Sequence, residues 1–270
     1  MKRLELIAGL TLVGLVVACA IISFVWTPYD PTHVAAGQRL LPPSPEHVFG
    51  TDGFGRDVLS RLLVGARSCL TVGVISVGIA AVVGVPLGLL AAALPRWAGE
   101  VLMRGSDIAQ AIPALLLAIL LAAAFGGSTT TAMAAIGIAA VPQFVRVTRA
   151  GALQVLASDF VLAARACGTP RLRTLRQHVL PNVAPVLGVQ ASVAFAMAIL
   201  AEAALSYLGL ATQPPTPTWG RMLKESQDFL FRQPEQALWP GVAVALGVLG
   251  FNLLGDGLRD RLDPRLREVA

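Results

Sequence analysis

Six stretches of about 20 mostly apolar residues, set apart by polar or Pro- and Gly-rich connections, dominate the sequence. A helix rising 1.5 Å per residue crosses a hydrocarbon layer of roughly 30 Å in that length, whereas a soluble core interrupts its apolar runs sooner. Irregular backbone cannot face lipid because its amides would go unpaired, which leaves helices or the strands of a closed barrel. Barrel strands alternate with period two, and these segments do not. The sequence therefore predicts an all-α, polytopic membrane protein with six transmembrane helices. Its 270 residues are 55% apolar and 14% charged, too few polar groups to coat a soluble globule of this size.

The spans are expected at Leu4–Trp26, Ser68–Leu94, Val101–Phe125, Thr129–Val147, Val183–Leu205 and Leu238–Leu254. The start Met1-Lys2-Arg3 is shared with secretory signal peptides, but their apolar region is shorter and a small-residue cleavage site follows it, so a span is the better reading. From Thr27 to Phe49, Pro28, Pro31, Pro42, Pro43 and Pro45 oppose helix and predict an extended loop outside the bilayer. Between Arg56 and Arg67 the residues Leu59, Leu62, Leu63 and Ala66 share one helical face and Asp57, Ser60 and Arg67 another, the pattern of a short interfacial helix. Polar connections are expected before Val183 and over Thr212–Gln236, with a charged tail over Asp256–Arg267.

Cytoplasmic loops retain Lys and Arg, so their distribution sets orientation. With the N-terminus inside, inner segments hold Lys2, Arg3, Arg96, Arg104, Arg146, Arg149, Arg165, Arg171, Arg173, Arg176, Arg259, Arg261, Arg265 and Arg267, which is 14 of 21. Both termini and the long basic connection are then expected in the cytoplasm. The net charge of +5 and the pI near 9.7 invite a nucleic-acid reading. The basic residues lie between spans and not on one compact face, so no nucleic-acid partner is expected. Cys19, Cys69 and Cys167 show no metal-ligand spacing and are expected as free thiols, and His33, His47 and His178 form no ligand set. No metal site is expected.

The basic connection carries most of the functional information. Ser158 or Asp159 can cap a helix ending at Gly168, and Thr169-Pro170 can open another. Helix, sharp bend and helix would present an apolar side (Leu162, Ala166, Leu172, Leu175) and a basic side (Arg171, Arg173, Arg176), a shape suited to docking into a partner. The glycines of Gly50–Gly55 lack the Lys-Ser or Lys-Thr pair of a phosphate-binding loop, so tight turns are their better reading and no nucleotide site is expected.

Polar groups inside spans are costly in lipid and face the bundle interior or a water-filled path. Asp107, Gln110, Gln143, Gln190, Ser192, Glu202 and Asn252 are of this kind. Gln110, Gln190 and Ser192 are candidates for the wall of a translocation path, and interhelical hydrogen bonding is the alternative for each. Asp107 is expected to pair with Arg104. Pro86, Pro113 and Pro142 are expected to kink their helices. Gly73, Gly78, Gly84 and Gly88 are expected to permit close helix packing within the bundle, or pairing with a sister subunit.

The run Leu162-Ala163-Ala164, then Gly168, then His178-Val179-Leu180-Pro181 resembles the EAA loop of type I ABC-importer permeases. Leu162 stands where the name-giving Glu of that loop would be. Three further blocks are similar to the C-type subunit of dipeptide, oligopeptide and nickel permeases. They are Gly50–Arg61, Glu202–Leu210 with Pro214–Leu223, and Phe251–Asp260 with Leu262–Arg265. In the same order and at similar spacing, they extend the resemblance over nearly the whole chain.

The resemblance implies a type I ABC-importer (MetI-like) transmembrane domain in a bacterial cytoplasmic (inner) membrane. It implies a non-catalytic subunit carrying di- or oligopeptides by alternating access, with nickel chelates or glutathione as the alternative cargo. The implied partners are a homologous sister permease, two ATPase subunits that hold ATP and Mg, and an external solute-binding protein. This chain itself would hold no cofactor. The ATPase-coupling residues would be Ala163, Ala164, Arg165, Gly168, Arg171, Arg173, Leu180 and Pro181. The implied organisation is an N-terminal unit over residues 1–66, a core over 67–258 containing the coupling loop at 157–181, and a cytoplasmic tail over 259–270. A membrane-embedded enzyme fits poorly, since the spans hold no His-Glu-x-x-His, no paired aspartates and no Gly-x-Ser-x-Gly. A passive pore would have no use for the large basic loop.

Overall fold

The computed structural model describes residues 2–262, and within them the long elements are all helices. These are α1 (Lys2–Val25), α2 (Val58–Ala93), α3 (Arg96–Ala111), α4 (Ala114–Phe125), α5 (Thr129–Leu156), α6 (Asp159–Ala166), α7 (Arg171–Thr174), α8 (Leu180–Leu208), α9 (Trp219–Ser226) and α10 (Glu235–Leu262). Five helical stretches are long and apolar enough to cross a membrane alone, and α3 with α4 makes a sixth bent by 77°. Six spans were expected, but the third is a broken one. Pro113 supplies no amide to the helix and forces Ile112 into extended backbone (φ −80°, ψ 119°), so the chain turns there. Pro86 and Pro142, by contrast, lie inside helices that run on through them.

Other boundaries differ from the sequence reading too, and α5 runs on past Val147 to Leu156. The interfacial helix expected over Arg56–Arg67 is the start of α2, with no break at Ser68, and the boundary drawn at residue 66 falls inside that helix. Nothing at Arg67-Ser68 interrupts helical hydrogen bonding, and Asp57 caps the whole element by accepting from the Ser60 amide at 2.8 Å. Its 36 residues make about 54 Å of helix, so α2 overshoots a hydrocarbon layer of roughly 30 Å. The fifth span begins at Arg171, because α7 runs through a wide turn at Leu175–Val179 directly into α8. Likewise α10 continues through Asp256–Arg261, residues assigned to the charged tail, while Asp263–Arg267 and the rest of the tail lie outside the described residues. The polar connection over Thr212–Gln236 contains α9, capped by Thr218, whose Oγ1 accepts from the Arg221 amide at 3.3 Å.

Small residues set the helix spacing. A Cβ on Gly84 would stand 2.5 Å from Phe144 Cβ, and one on Gly88 would stand 2.6 Å from both Thr148 Cβ and the Val145 carbonyl oxygen, which brings α2 against α5. Gly73 faces the Phe195 ring of α8 in the same way. Gly9 and Gly257 let α1 and α10 touch at backbone distance, beside the Phe195–Phe251 stack (4.0 Å between centroids) that joins α8 to α10. Packing within the bundle therefore accounts for three of the four α2 glycines. Gly78 has nothing within 4 Å of where a Cβ would be.

These contacts separate two otherwise similar substitutions. Gly84→Ala is expected to destabilise the purified protein by about 1–3 kcal/mol, the usual range for overpacking. Gly78→Ala is expected to be neutral or slightly stabilising, since alanine favours helix. Thermal unfolding of both variants in detergent checks the contrast.

Candidate functional site

Three polar regions stand out on this frame. The first is the basic elbow. Its helix α6 is anchored by the fully buried Val161 and ends in a Schellman motif: the Gly168 N–H donates to Arg165 O (3.0 Å) and the Thr169 N–H to Ala164 O (3.1 Å). Gly168 sits at φ +86° with open space around it, so backbone conformation alone demands glycine there. Capping departs from expectation. The Ser158 hydroxyl donates back to Val155 O (2.5 Å) and does not cap α6, while Pro170, not Thr169, takes the cap position of α7.

At the bend Ala163, Arg165, Gly168, Arg171, Arg173 and Pro181 are exposed, and Ala164 and Leu180 are half-buried. Around them Phe160, Leu162 and Leu172 expose 51%, 50% and 78% of their surface, so the elbow offers apolar and cationic groups together. Phe160, which sequence reasoning passed over, stands edge-on to His178 at 6.3 Å between ring centroids. A cleft of about 70 Å³ lined by Ala92, Ala93, Leu156, Arg165 and Arg171 shows that the elbow lies against the C-terminal ends of α2 and α5. The Asn182 side-chain amide donates to His178 O (2.7 Å), supporting the junction of elbow and span.

The second region lies in the spans. The Gln190 amide of α8 donates to Gln143 Oε1 of α5 at 3.2 Å. Gln110 is exposed on α3, one turn from Asp107. Asp107 pairs with Arg146 of α5 at 2.7 Å and not with Arg104, because α3 lays this face along α5. Ser192 does not join them. It is buried two residues beyond Gln190, its Cβ 3.3 Å from where a Cβ on Gly255 of α10 would stand, and its hydroxyl donates to Gly188 O at 3.2 Å. Glu202 is fully buried and accepts from the Ser206 hydroxyl at 2.7 Å.

The third region, at the opposite end from the elbow, joins two of the sequence blocks. Asp52 Oδ1 accepts from the amides of Phe54 (2.8 Å) and Arg56 (3.0 Å), and Oδ2 accepts from Arg56 Nε (2.7 Å) and from Arg61. Glu225 of α9 accepts from Arg56 (2.6 Å), Arg61 (2.7 Å) and Arg221 (2.9 Å). The Arg61 side chain is 2% exposed and that of Asp52 9%. Beside them His47 Nδ1 meets Asp57 Oδ1 at 2.9 Å, and Gln236 of α10 donates to Thr51 O at 2.8 Å. Gly50 (φ +72°) and Gly55 (φ +79°) make the tight turns that bring these groups round. Asp57 and Ser60 are buried under the preceding loop, Asp57 against His47 and Ser60 against Tyr29, whose amide donates to Ser60 Oγ at 3.0 Å. Burial alone would push the Glu225 carboxyl up, but the Arg61 and Arg56 guanidiniums beside it hold it below its ordinary value. Among the described residues no group of three or more His, Cys, Asp or Glu gathers in a metal-binding arrangement.

Residues 84–268 match the family described as binding-protein-dependent transport system inner membrane component. The chain is 43% identical to the di/tripeptide transport system permease protein DppC of Pseudomonas aeruginosa, over 98% of this chain and 89% of that protein. Identity is 42% with the dipeptide transport system permease protein DppC of Escherichia coli (97% and 89% covered). It is 38% with the glutathione transport system permease protein GsiD of Pectobacterium atrosepticum (98% and 88% covered). The backbone is similar to that of the MetNI methionine ABC transporter in an inward-facing conformation, with a TM-score of 0.59 at 17% identity over 77% of this chain and 96% of that one. That likeness speaks to the fold.

Removing one member of a buried ion network leaves the others uncompensated. Arg61→Met is therefore expected to cost about 3–5 kcal/mol, read as a drop in thermal stability and protease nicking near Asp52. Glu225 contributes its share fully above its ordinary pKa of 4.5, and that share is lost as pH falls through its lower folded value. Glu225→Gln should accordingly flatten the acid limb of the stability profile below about pH 4.5.

Proposed function

Because the chain belongs to the binding-protein-dependent transport system inner membrane component family, we propose that it is the permease subunit of a bacterial ATP-driven importer whose cargo is di- or oligopeptides. The peptide cargo has the di/tripeptide and dipeptide permeases behind it, at 42–43% identity over nearly the full chain. Glutathione is the second reading, favoured by the 38% identical GsiD protein, and it is itself a small peptide. In this reading a homologous permease sits alongside, two ATPase subunits bind beneath the pair with one of them on this elbow, and a solute-binding protein meets the opposite end outside. ATP and Mg belong to the ATPases, and this subunit supplies the path.

One observation carries the reading: the helix that begins at Arg171 in the elbow continues without a break to Leu208. Its 38 residues make about 57 Å, with Gln190 near the middle. A push on Arg171, Arg173 or the apolar groups beside them is therefore delivered toward the centre of the membrane along one continuous helical stretch. The wide turn at Leu175–Val179 and the prolines Pro181 and Pro185 give it one place to bend. Closure of the ATPase pair would draw the elbow, tilt α8 and open the path outward, and hydrolysis would return it inward. The lever and the docked elbow form the two-state element that such coupling requires.

Gly168→Val tests the coupling. A β-branched residue at φ +86° is strained by about 1–2 kcal/mol or more and should distort the bend. ATP-dependent uptake of radiolabelled dialanine by the assembled transporter is expected to disappear while membrane insertion persists, and normal uptake would remove the elbow from the mechanism. Cys167, an exposed free thiol at the bend, reads the orientation. An impermeant maleimide should label it in inside-out vesicles and leave it unlabelled in right-side-out ones, and the reverse pattern would overturn the assignment.

A further inference from the structure

Charges within a membrane span persist where they meet one another, water or a polar partner. Asp107 and Arg146 meet at 2.7 Å, yet their side chains remain 45% and 52% exposed. Acyl chains cannot lap groups that open, so the face that bears them borders water or a polar partner chain. Gln143, one turn before Arg146, continues this face to Gln190, and Gln110 continues it along α3. It is the side of α5 turned away from α2, since Phe144 and Thr148 meet Gly84 and Gly88. Arg146 lies about 4.5 Å of helix beyond Gln143, toward the elbow end of α5.

We propose that Asp107 and Arg146 form an exchange site for zwitterions on the translocation path. The α-ammonium of a passing peptide takes Asp107, its terminal carboxylate takes Arg146, and the two residues pair again when the cargo leaves. The inference rests on the peptide-importer reading above and goes further by assigning the groups that handle the cargo's charged ends. At rest the site carries no net charge and attracts neither cations nor anions. When loaded, two ion pairs replace one, so neither the protein nor the cargo carries an unpaired charge through the membrane. An extended dipeptide spans about 7 Å, enough to bridge two groups that have parted on separate helices. The planar guanidinium of Arg146 suits a carboxylate, which it can hold through two parallel hydrogen bonds. A solute with only one charged end would leave either Asp107 or Arg146 uncompensated.

Uptake by the whole transporter in membrane vesicles tests this, with dialanine, dialanine amide and N-acetyl-dialanine each supplied at a concentration that saturates the binding protein. Arg146→Gln is expected to slow dialanine about tenfold and to leave dialanine amide, which lacks the carboxylate, within about twofold of its rate. Asp107→Asn should slow dialanine equally and spare N-acetyl-dialanine, which lacks the ammonium. ATPase activity of each purified complex reports assembly. Should a neutral variant assemble poorly, Asp107→Lys combined with Arg146→Glu keeps the bridge and is still expected to slow dialanine about tenfold, because the delivered zwitterion meets like charges. Equal slowing of all three cargoes by the single variants, full recovery in the reversed pair, or unchanged dialanine uptake would each overturn the exchange site. Failure of the unmodified transporter to take up any of the three would overturn the peptide reading itself, and the site with it.

Discussion

A peptide N–H or C=O left without a partner in hydrocarbon costs several kcal/mol, and the long elements of this protein are arranged around that cost. Where the sequence is apolar the backbone closes its hydrogen bonds within one helix. Among the described residues, the one sharp break inside an apolar region, at Pro113, divides α3 from α4 where α3 already turns polar groups toward α5. Prolines that remain inside helices are tolerated with neighbouring helices or side chains such as Asn182 at hand. Glycine works in the other direction, letting α2 approach α5, and α1 approach α10, to backbone distance. Without a hydrophobic force between helices already in lipid, close contact of this kind is what holds the bundle.

Polar chemistry is consequently confined to places where the bilayer is not the solvent. At one end of the bundle Asp52, Arg56, Arg61 and Glu225 tie the start of α2 to α9, and Gln236 adds the start of α10. Such networks add little net stability over a well-packed apolar core, but they penalise any arrangement in which one member is missing. The cap is therefore a specificity device, fixing which loop meets which helix. At the other end the elbow does the opposite. Phe160, Leu162, Leu172 and the arginines around them are left uncovered, the composition expected of a surface completed by another protein. Between the two ends runs α7–α8, a continuous helical stretch that joins the elbow to Gln190.

The broad architecture was legible because hydropathy reports the solvent of each segment directly. Spans, loops and the bend at Gly168 follow from apolar run length, proline content and the demand of a left-handed backbone for glycine. The misplaced boundaries share one cause. Polar or charged residues at Arg56–Arg67, Arg171–Leu180 and Asp256–Arg261 read as lying outside the spans, whereas helical hydrogen bonding continues beyond the membrane wherever nothing interrupts it. The candidate path was legible in part. Gln143, Gln190 and Asp107 stood out as polar groups in apolar runs, but Ser192, only two residues from Gln190, turns toward α10.

Run length and composition by themselves determined that this protein lives in a membrane, that its backbone is helical, and where its basic elbow lies. These are properties of a segment and its solvent, and need no knowledge of neighbours. Only the tertiary structure decided that Asp107 answers Arg146, that Glu225 answers arginines more than 160 positions earlier, and that Ser192 leaves the polar face. Such pairings depend on how helices rotate and cross, which is set by contacts between distant small residues that leave no periodic trace along the chain.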